Sequence, residues 1–203
     1  TALGADLLDL VASLQPVHVV GHSFGGLVSR EAALMSGGDG FASLTLLCSG
    51  PASIPGEQQA ALEAMYQALT QVPMEAIWEA KSVADREWGW DPTPEQEDFM
   101  RRKFLANNPY GLRAKTGVLI STPDRSPDLA VLVREGLPVS VVYGEHDDGW
   151  PVPVQNEMAA VLGVTPITVL GCAHSPAVDD PEQTATLLDA AFRTAGGSPG
   201  LQV

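Results

Sequence analysis

The chain is poor in positive charge, cysteine and aromatic residues, and it contains no long apolar run. Only 11 Lys and Arg stand against 25 Asp and Glu, a formal net charge of −14. That balance argues against nucleic acid or an anionic membrane surface as partner, since both are met by a basic face. The one basic cluster, Arg101-Arg102-Lys103, lies beside Glu95, Glu97 and Asp98 and reads as a solvated helix face. No window reaches the ~18 uninterrupted apolar residues of a membrane span, and the expected location is cytoplasmic. The 2 cysteines, Cys48 and Cys172, are too few for a disulfide framework. Each ends an expected strand, with a third strand between them. Strands ~4.8 Å apart put next-but-one neighbours near ~10 Å, beyond disulfide reach, so both are read as reduced thiols. Of the 4 histidines, His18, His22, His146 and His174, only His18 and His22 stand four apart, on an expected strand where that spacing does not form the shared face it would on a helix, and none has a paired cysteine. This argues against a metal site, and no cofactor is expected.

What the chain does have is enough apolar material for one substantial core: 45% of 203 residues are hydrophobic. The first 50 residues alternate helix 3–14, strand 17–21, helix 25–36 and strand 42–48. Val17–Val20 and Leu44–Leu47 are short apolar runs without polar alternation, as expected for strands buried on both faces of a parallel sheet. The pattern resumes with strand 138–143, helix 152–162 closed by Gly163, and strand 167–170. A last helix opens at Asp180 as N-cap, with Pro181 in its first position and Gln183 three residues on. The tail Gly196-Gly197-Ser198-Pro199-Gly200 is expected to be disordered.

Between these halves, residues 51–135 contain no good strand. They offer amphipathic helices over 57–69, 73–88, 94–107 and 128–134, punctuated by prolines. The expected organisation is an α/β core formed by 1–50 and 136–203, with 51–135 as a helical insertion.

Gly21-His22-Ser23-Phe24-Gly25 stands directly behind the first apolar run, so that strand, sharp turn and helix meet at one serine. Such a turn forces backbone angles that bulky residues tolerate poorly. Gly21 and Gly25 are read as leaving room for the close approach, with the Ser23 hydroxyl projecting from the sheet edge. A serine hydroxyl needs a base within hydrogen-bond reach and a group that orients the base. Both are offered at later strand ends. Strand 138–143 runs into Gly144-Glu145-His146-Asp147-Asp148, and strand 167–170 into Gly171-Cys172-Ala173-His174-Ser175-Pro176. Loops at the C-terminal ends of parallel strands open on one edge, so Ser23, His174 and an acid from Glu145, Asp147 or Asp148 can meet. His22, His146 and His18 read as structural, and Asp179 as a helix-start residue beside Asp180.

The elbow Gly21–Gly26, the Gly-x-x-Asp loop Gly144–Asp147 and the Gly-x-x-His-Ser-Pro run Gly171–Pro176, in this order, resemble the α/β-hydrolase superfamily in its capped serine-hydrolase branch. The resemblance implies an α/β fold, here its C-terminal portion: a parallel sheet of about four strands flanked by helices, with the insertion as a cap. It implies Ser23 as nucleophile, His174 as base, Asp147 as the acid by the family's spacing, and the backbone N–H of Phe24 as one oxyanion donor. In that family, strands precede the elbow strand and an early loop, often His-Gly, supplies a second oxyanion donor. This sequence has no His-Gly and only residues 1–22 ahead of Ser23. The expectation is therefore a four-stranded sheet in sequence order with the elbow strand at an open edge. On that reading the isolated chain is aggregation-prone and feebly active.

The implied activity is hydrolysis of a small, largely apolar carboxylic ester through an acyl-enzyme on Ser23, with Phe24, Met65, Trp78, Trp88, Trp90 and Trp150 expected around an apolar pocket. The partner is a small-molecule substrate; oligomeric state is not legible. The same triad also serves a lactonase, thioesterase, aminopeptidase or carbon–carbon bond hydrolase. A truncated, non-catalytic binding module is the reading from another class.

Overall fold

The short apolar runs become the strands of one parallel sheet, and the glycines after them become its turns. The computed structural model describes residues 2–87 and 89–196. Trp88 and residues 197–200 of the expected disordered tail lie outside the described residues. Along the first stretch come α1 (Ala2–Val11), β1 (Val17–His22), α2 (Phe24–Ser36) and β2 (Phe41–Leu47). Next are α3 (Glu57–Ala68), α4 (Met74–Glu87), α5 (Pro94–Leu105) and α6 (Pro109–Ser121). The remainder is α7 (Ser126–Arg134), β3 (Val139–Gly144), α8 (Val152–Leu162), β4 (Ile167–Val169), α9 (Pro176–Asp179) and α10 (Pro181–Ala195).

The 4 strands stand in the order β1-β2-β3-β4, all parallel, with Val19 opposite Leu44, Leu46 opposite Val141 and Tyr143 opposite Thr168. Central β2 and β3 are buried almost throughout, and Leu44, Leu46, Val141, Val142 and Leu129 form the middle of the core. β1 is at the edge of the sheet. Val19 and Gly21 are buried, whereas His18, Val20 and His22 are exposed, so the run that looked apolar on both faces alternates in burial. Helices cover both faces. Gly21 points at α2, while His18 stacks on Phe192 of α10 with ring centroids 4.8 Å apart.

The chain divides into two compact units, Thr1–Ile54 with Pro123–Val203, and Pro55–Thr122. This division is narrower than the 51–135 insertion read from sequence. α7 belongs with the sheet because its apolar stripe, Leu129, Ala130 and Leu132, is buried between α2 and α8. At the junction, the buried Arg30 of α2 donates from Nη1 to the Pro51 carbonyl, which also accepts from the Arg125 N–H at 3.4 Å. Both segments leading into the helical unit are thus fastened at one backbone oxygen of the sheet unit.

Within 55–122, α3 packs on α6 and α4 on α5. α6 is a helix that periodicity did not reveal. Gly111 and Gly117 interrupt its pattern and Thr116 is its one buried residue. Its start was nonetheless written in sequence: Asn108 caps the N–H groups of Tyr110 and Gly111, and Pro109 follows. Gly117 permits close approach to α3, since a Cβ there would lie 3.1 Å from Tyr66 Cε2. No helix among the described residues is long and apolar enough to cross a membrane.

Candidate active site

The turn after β1 is tight because three backbone segments share its space. Ser23 takes φ 54°, a left-handed value rare for a residue with a side chain. Its N–H donates to the Leu47 carbonyl at 2.9 Å, and the Gly26 N–H donates back to the Ser23 carbonyl at 2.9 Å. A Cβ at Gly21 would lie 2.6 Å from both Gly25 O and Gly26 Cα, and one at Gly26 would lie 2.3 Å from Ser49 Oγ. At Gly25 it would meet nothing within 4 Å. The close approach therefore falls on Gly21 and Gly26, not on Gly21 and Gly25 as the motif suggested. The reason is that Gly26 faces the segment after β2, whereas Gly25 faces away from it. Phe24 opens α2, so its N–H is among those a helix leaves without an intrahelical acceptor.

Ser23, His174 and Asp147 come together from the ends of β1, β4 and β3. His174 Nε2 lies 2.9 Å from Ser23 Oγ, and its Nδ1 lies 2.7 Å from Asp147 Oδ1. An ionised carboxylate only accepts, so Nδ1 carries the proton and Nε2 faces the serine as an acceptor. The Asp147 side chain is fully buried and that of His174 is 27% exposed. Burial pushes the Asp147 carboxyl up, but the His174 hydrogen bond and charge, with donors from Gln155 and the Gly149 N–H, outweigh it and hold it below the usual range. Of the three acids left open by sequence, Asp147 is thus the one hydrogen-bonded to the ring. Glu145 instead accepts from the Gly171 N–H at 2.9 Å.

Neighbouring residues fix the loop that carries His174. His22 Nε2 donates to the His174 carbonyl at 2.7 Å, and Asp179 accepts from the Ala173 N–H at 2.9 Å. Asp179 therefore ends α9 and ties down the histidine loop, where sequence had given it a helix-start role. Asp180 caps α10 as expected, accepting from the Gln183 N–H at 2.9 Å. Gln183 also joins the loop, taking the Leu170 N–H at 2.8 Å. Cys48 is free and buried, and burial together with the Asp147 charge pushes its thiol up, away from reactivity. Cys172 is free and buried as well.

The aromatic residues singled out by sequence divide between the units. Trp78 is buried in the helical unit against Trp90 and Phe104, with ring centroids 6.3 and 5.7 Å away. Met65 is half-buried on α3. Trp150 belongs to the sheet unit, fully buried, with Nε1 donating to Ala52 O at 3.1 Å and its ring 6.4 Å from that of His174. Among the described residues, two groups could approach a metal ion: His22, Cys48 and His174, and Asp147, Asp148 and His174. Each includes His174, whose two ring nitrogens already face Ser23 and Asp147, so an ion would displace one of those bonds. Sequence reasoning missed Gly149 and Gln155. Neither carried a signal: one is a loop glycine and the other a helical glutamine.

Residues 1–187 match a family described as the alpha/beta hydrolase family. The pimeloyl-[acyl-carrier protein] methyl ester esterase of Methylococcus capsulatus is 30% identical over 192 residues, 88% of this chain and 71% of that protein. A carboxylesterase structure from Nitrososphaera gargenis superposes with TM-score 0.78 at 20% identity, over 96% of this chain and 71% of the other. A thermophilic esterase from Thermogutta terrifontis gives 0.72 at 21% identity, over 95% and 71%. By the family match and by the similarity to that methyl ester esterase, this chain belongs to the alpha/beta hydrolase family.

Proposed function

We propose that this chain is a serine esterase that cleaves a small, largely apolar carboxylic ester through an acyl-enzyme on Ser23. The carrying observation is the unbroken hydrogen-bond chain from Ser23 Oγ through His174 to the buried Asp147. In the proposed cycle His174 Nε2 takes the serine proton as Oγ attacks the ester carbonyl, and Phe24 N–H donates to the oxyanion. His174 then returns that proton to the leaving alcohol. Water, deprotonated by the same nitrogen, releases the acid. Asp147 stays ionised and holds the ring. The similarity to a methyl ester esterase favours an ester over the lactone, thioester, peptide and carbon–carbon substrates that the same triad serves in principle. Residues 55–122 act in this reading as the cap that selects the acyl group. Phe24 is the proposed apolar contact beside Ser23, and Met65, Trp88 and Trp90 are the candidates of the proposed cap, whereas Trp78 and Trp150 are buried and pack within their own units.

A fluorophosphonate probe tests the reading directly. The expected result is a single covalent adduct on Ser23, located by peptide mass spectrometry. Folded protein that takes no label, or takes it elsewhere, would support the binding-module alternative instead. A second outcome follows from Gly149. A Cβ there would lie 2.3 Å from His174 Cε1 and 2.4 Å from its Nδ1. Gly149→Ala is expected to push the imidazole aside and lower kcat/KM by ~10²-fold while the fold persists, because ångström-scale misplacement of a reacting group costs about that much. Turnover of a p-nitrophenyl ester alongside circular dichroism checks both halves.

A further inference from the structure

Gln155 is a polar side chain that the triad leaves unused, yet it is fully buried. It lies in the first turns of α8, on the helix that follows the acid loop. Its Nε2 is 2.8 Å from Asp147 Oδ2 and 2.8 Å from the Trp150 carbonyl oxygen. Both neighbours only accept, so the amide has a single orientation, with one N–H directed at each. Its other atom shows what this orientation demands. Gln155 Oε1 is buried and has no hydrogen-bond partner among the described residues, an arrangement that by itself lowers stability.

We infer that Gln155 is a positioning residue for the triad, holding the Asp147 carboxylate so that Oδ1 is presented to His174. The inference rests on the esterase reading above and adds to it. Asp147 Oδ1 is shared by the His174 Nδ1 and the Gly149 N–H at 2.7 and 2.9 Å, and Oδ2 is taken by Gln155. With both oxygens engaged, the carboxylate cannot turn about its Cβ–Cγ bond. The same amide ties down the Trp150 carbonyl, closing the loop 147–150 onto α8. Gln155 also draws negative charge toward Oδ2. Without that donor the charge concentrates on Oδ1, which favours a protonated ring, the form that cannot accept the serine proton. The other titratable groups around the site, among the described residues, include His22 and Cys48 at the ends of β1 and β2, Glu145, His146 and Asp148 in the acid loop, Cys172 in the histidine loop and Asp179 at the end of α9. All are unchanged by substitution at 155, so a shift between variants reports on the amide.

The test compares Gln155→Met, of similar length but without a donor, and Gln155→Glu with the parent protein. Gln155→Met is expected to lower kcat by ~10-fold with KM within about twofold, since orientation and not substrate binding is lost. The acid limb of its pH–kcat/KM profile should move up by about half a unit or more. Gln155→Glu brings a second carboxyl group against the first, so its acid limb should move further in the same direction. Proton NMR of the substrate-free protein reads the effect without activity, as a shift or broadening of the downfield Nδ1 proton of His174. A folded Gln155→Met protein with parental kcat, acid limb and Nδ1 resonance would overturn the inference. If the chain proves not to hydrolyse esters, the resonance alone decides: moved, it upholds the positioning role; unmoved, it sinks it.

Discussion

Ser23→Ala is expected to lower ester turnover by about 10⁴–10⁶-fold while leaving the protein folded. Alanine removes the Oγ that His174 Nε2 faces at 2.9 Å and changes nothing else in the turn. The backbone there is left-handed at φ 54°, strained for serine and alanine alike, so no strain is released. Stability should stay within about 1 kcal/mol, the usual net value of one hydrogen bond. Ser23→Gly makes the contrast informative. It removes the same oxygen but suits the left-handed turn, so it should be equally inactive and more stable by ~1 kcal/mol. Chemical denaturation with p-nitrophenyl ester turnover on both variants provides the check. Retention of more than a few per cent of parental turnover by Ser23→Ala would remove the serine from its proposed role.

Asp147→Asn is the second large effect, expected at about 10⁴-fold in kcat. Every polar neighbour of the carboxylate donates: His174 Nδ1 and the Gly149 N–H to Oδ1, Gln155 Nε2 to Oδ2. Asparagine has one acceptor oxygen, so one side of this site must meet an NH₂. If that side faces His174, the ring holds its proton on Nε2 and can no longer accept from Ser23. If it faces Gln155, two donors are opposed in a buried place. The pH dependence of stability should change as well. Because the Asp147 carboxyl is held low in the folded state, its stabilising contribution is present above the ordinary carboxylate value and is lost as pH falls through the lowered one. Asp147→Asn should therefore unfold less steeply in acid than the parent protein. Thermal melts across the acid range, paired with kinetics at neutral pH, separate these two consequences.

The parts of the molecule that local chemistry dictates were legible beforehand. The short apolar runs marked the strands and the Gly-flanked Ser23 marked the turn, while the resemblance to the α/β-hydrolase superfamily supplied the order of the four strands and the choice of Asp147 among three acids. Asp180 and Pro181 marked the start of α10 without help from tertiary contacts. What escaped was set by contacts distant in sequence. Gln155 is unremarkable in a helix until the fold buries it beside Asp147. The glycine that Ser49 crowds is Gly26, one position beyond the motif. His22, Cys48 and His174 offer ligand atoms within 4.8 Å of one another, although no spacing along the chain announces it. α6 was hidden for the opposite reason. It buries so little that no stripe is written in its sequence.

The mooring at Pro51 has a consequence for how such a chain can diversify. Arg30 and the Arg125 N–H hold the flanks of the 55–122 segment at one carbonyl, so the two ends of that segment are brought together by the sheet unit itself. Closing a loop between ends that already meet depends only weakly on its length, about 0.6 kcal/mol for each doubling. Lengthening, shortening or replacing the segment therefore leaves the strands and the Ser23–His174–Asp147 chain under nearly the same load. Under the proposed function, substrate preference would drift in one piece of the protein while the chemistry is inherited intact in the other.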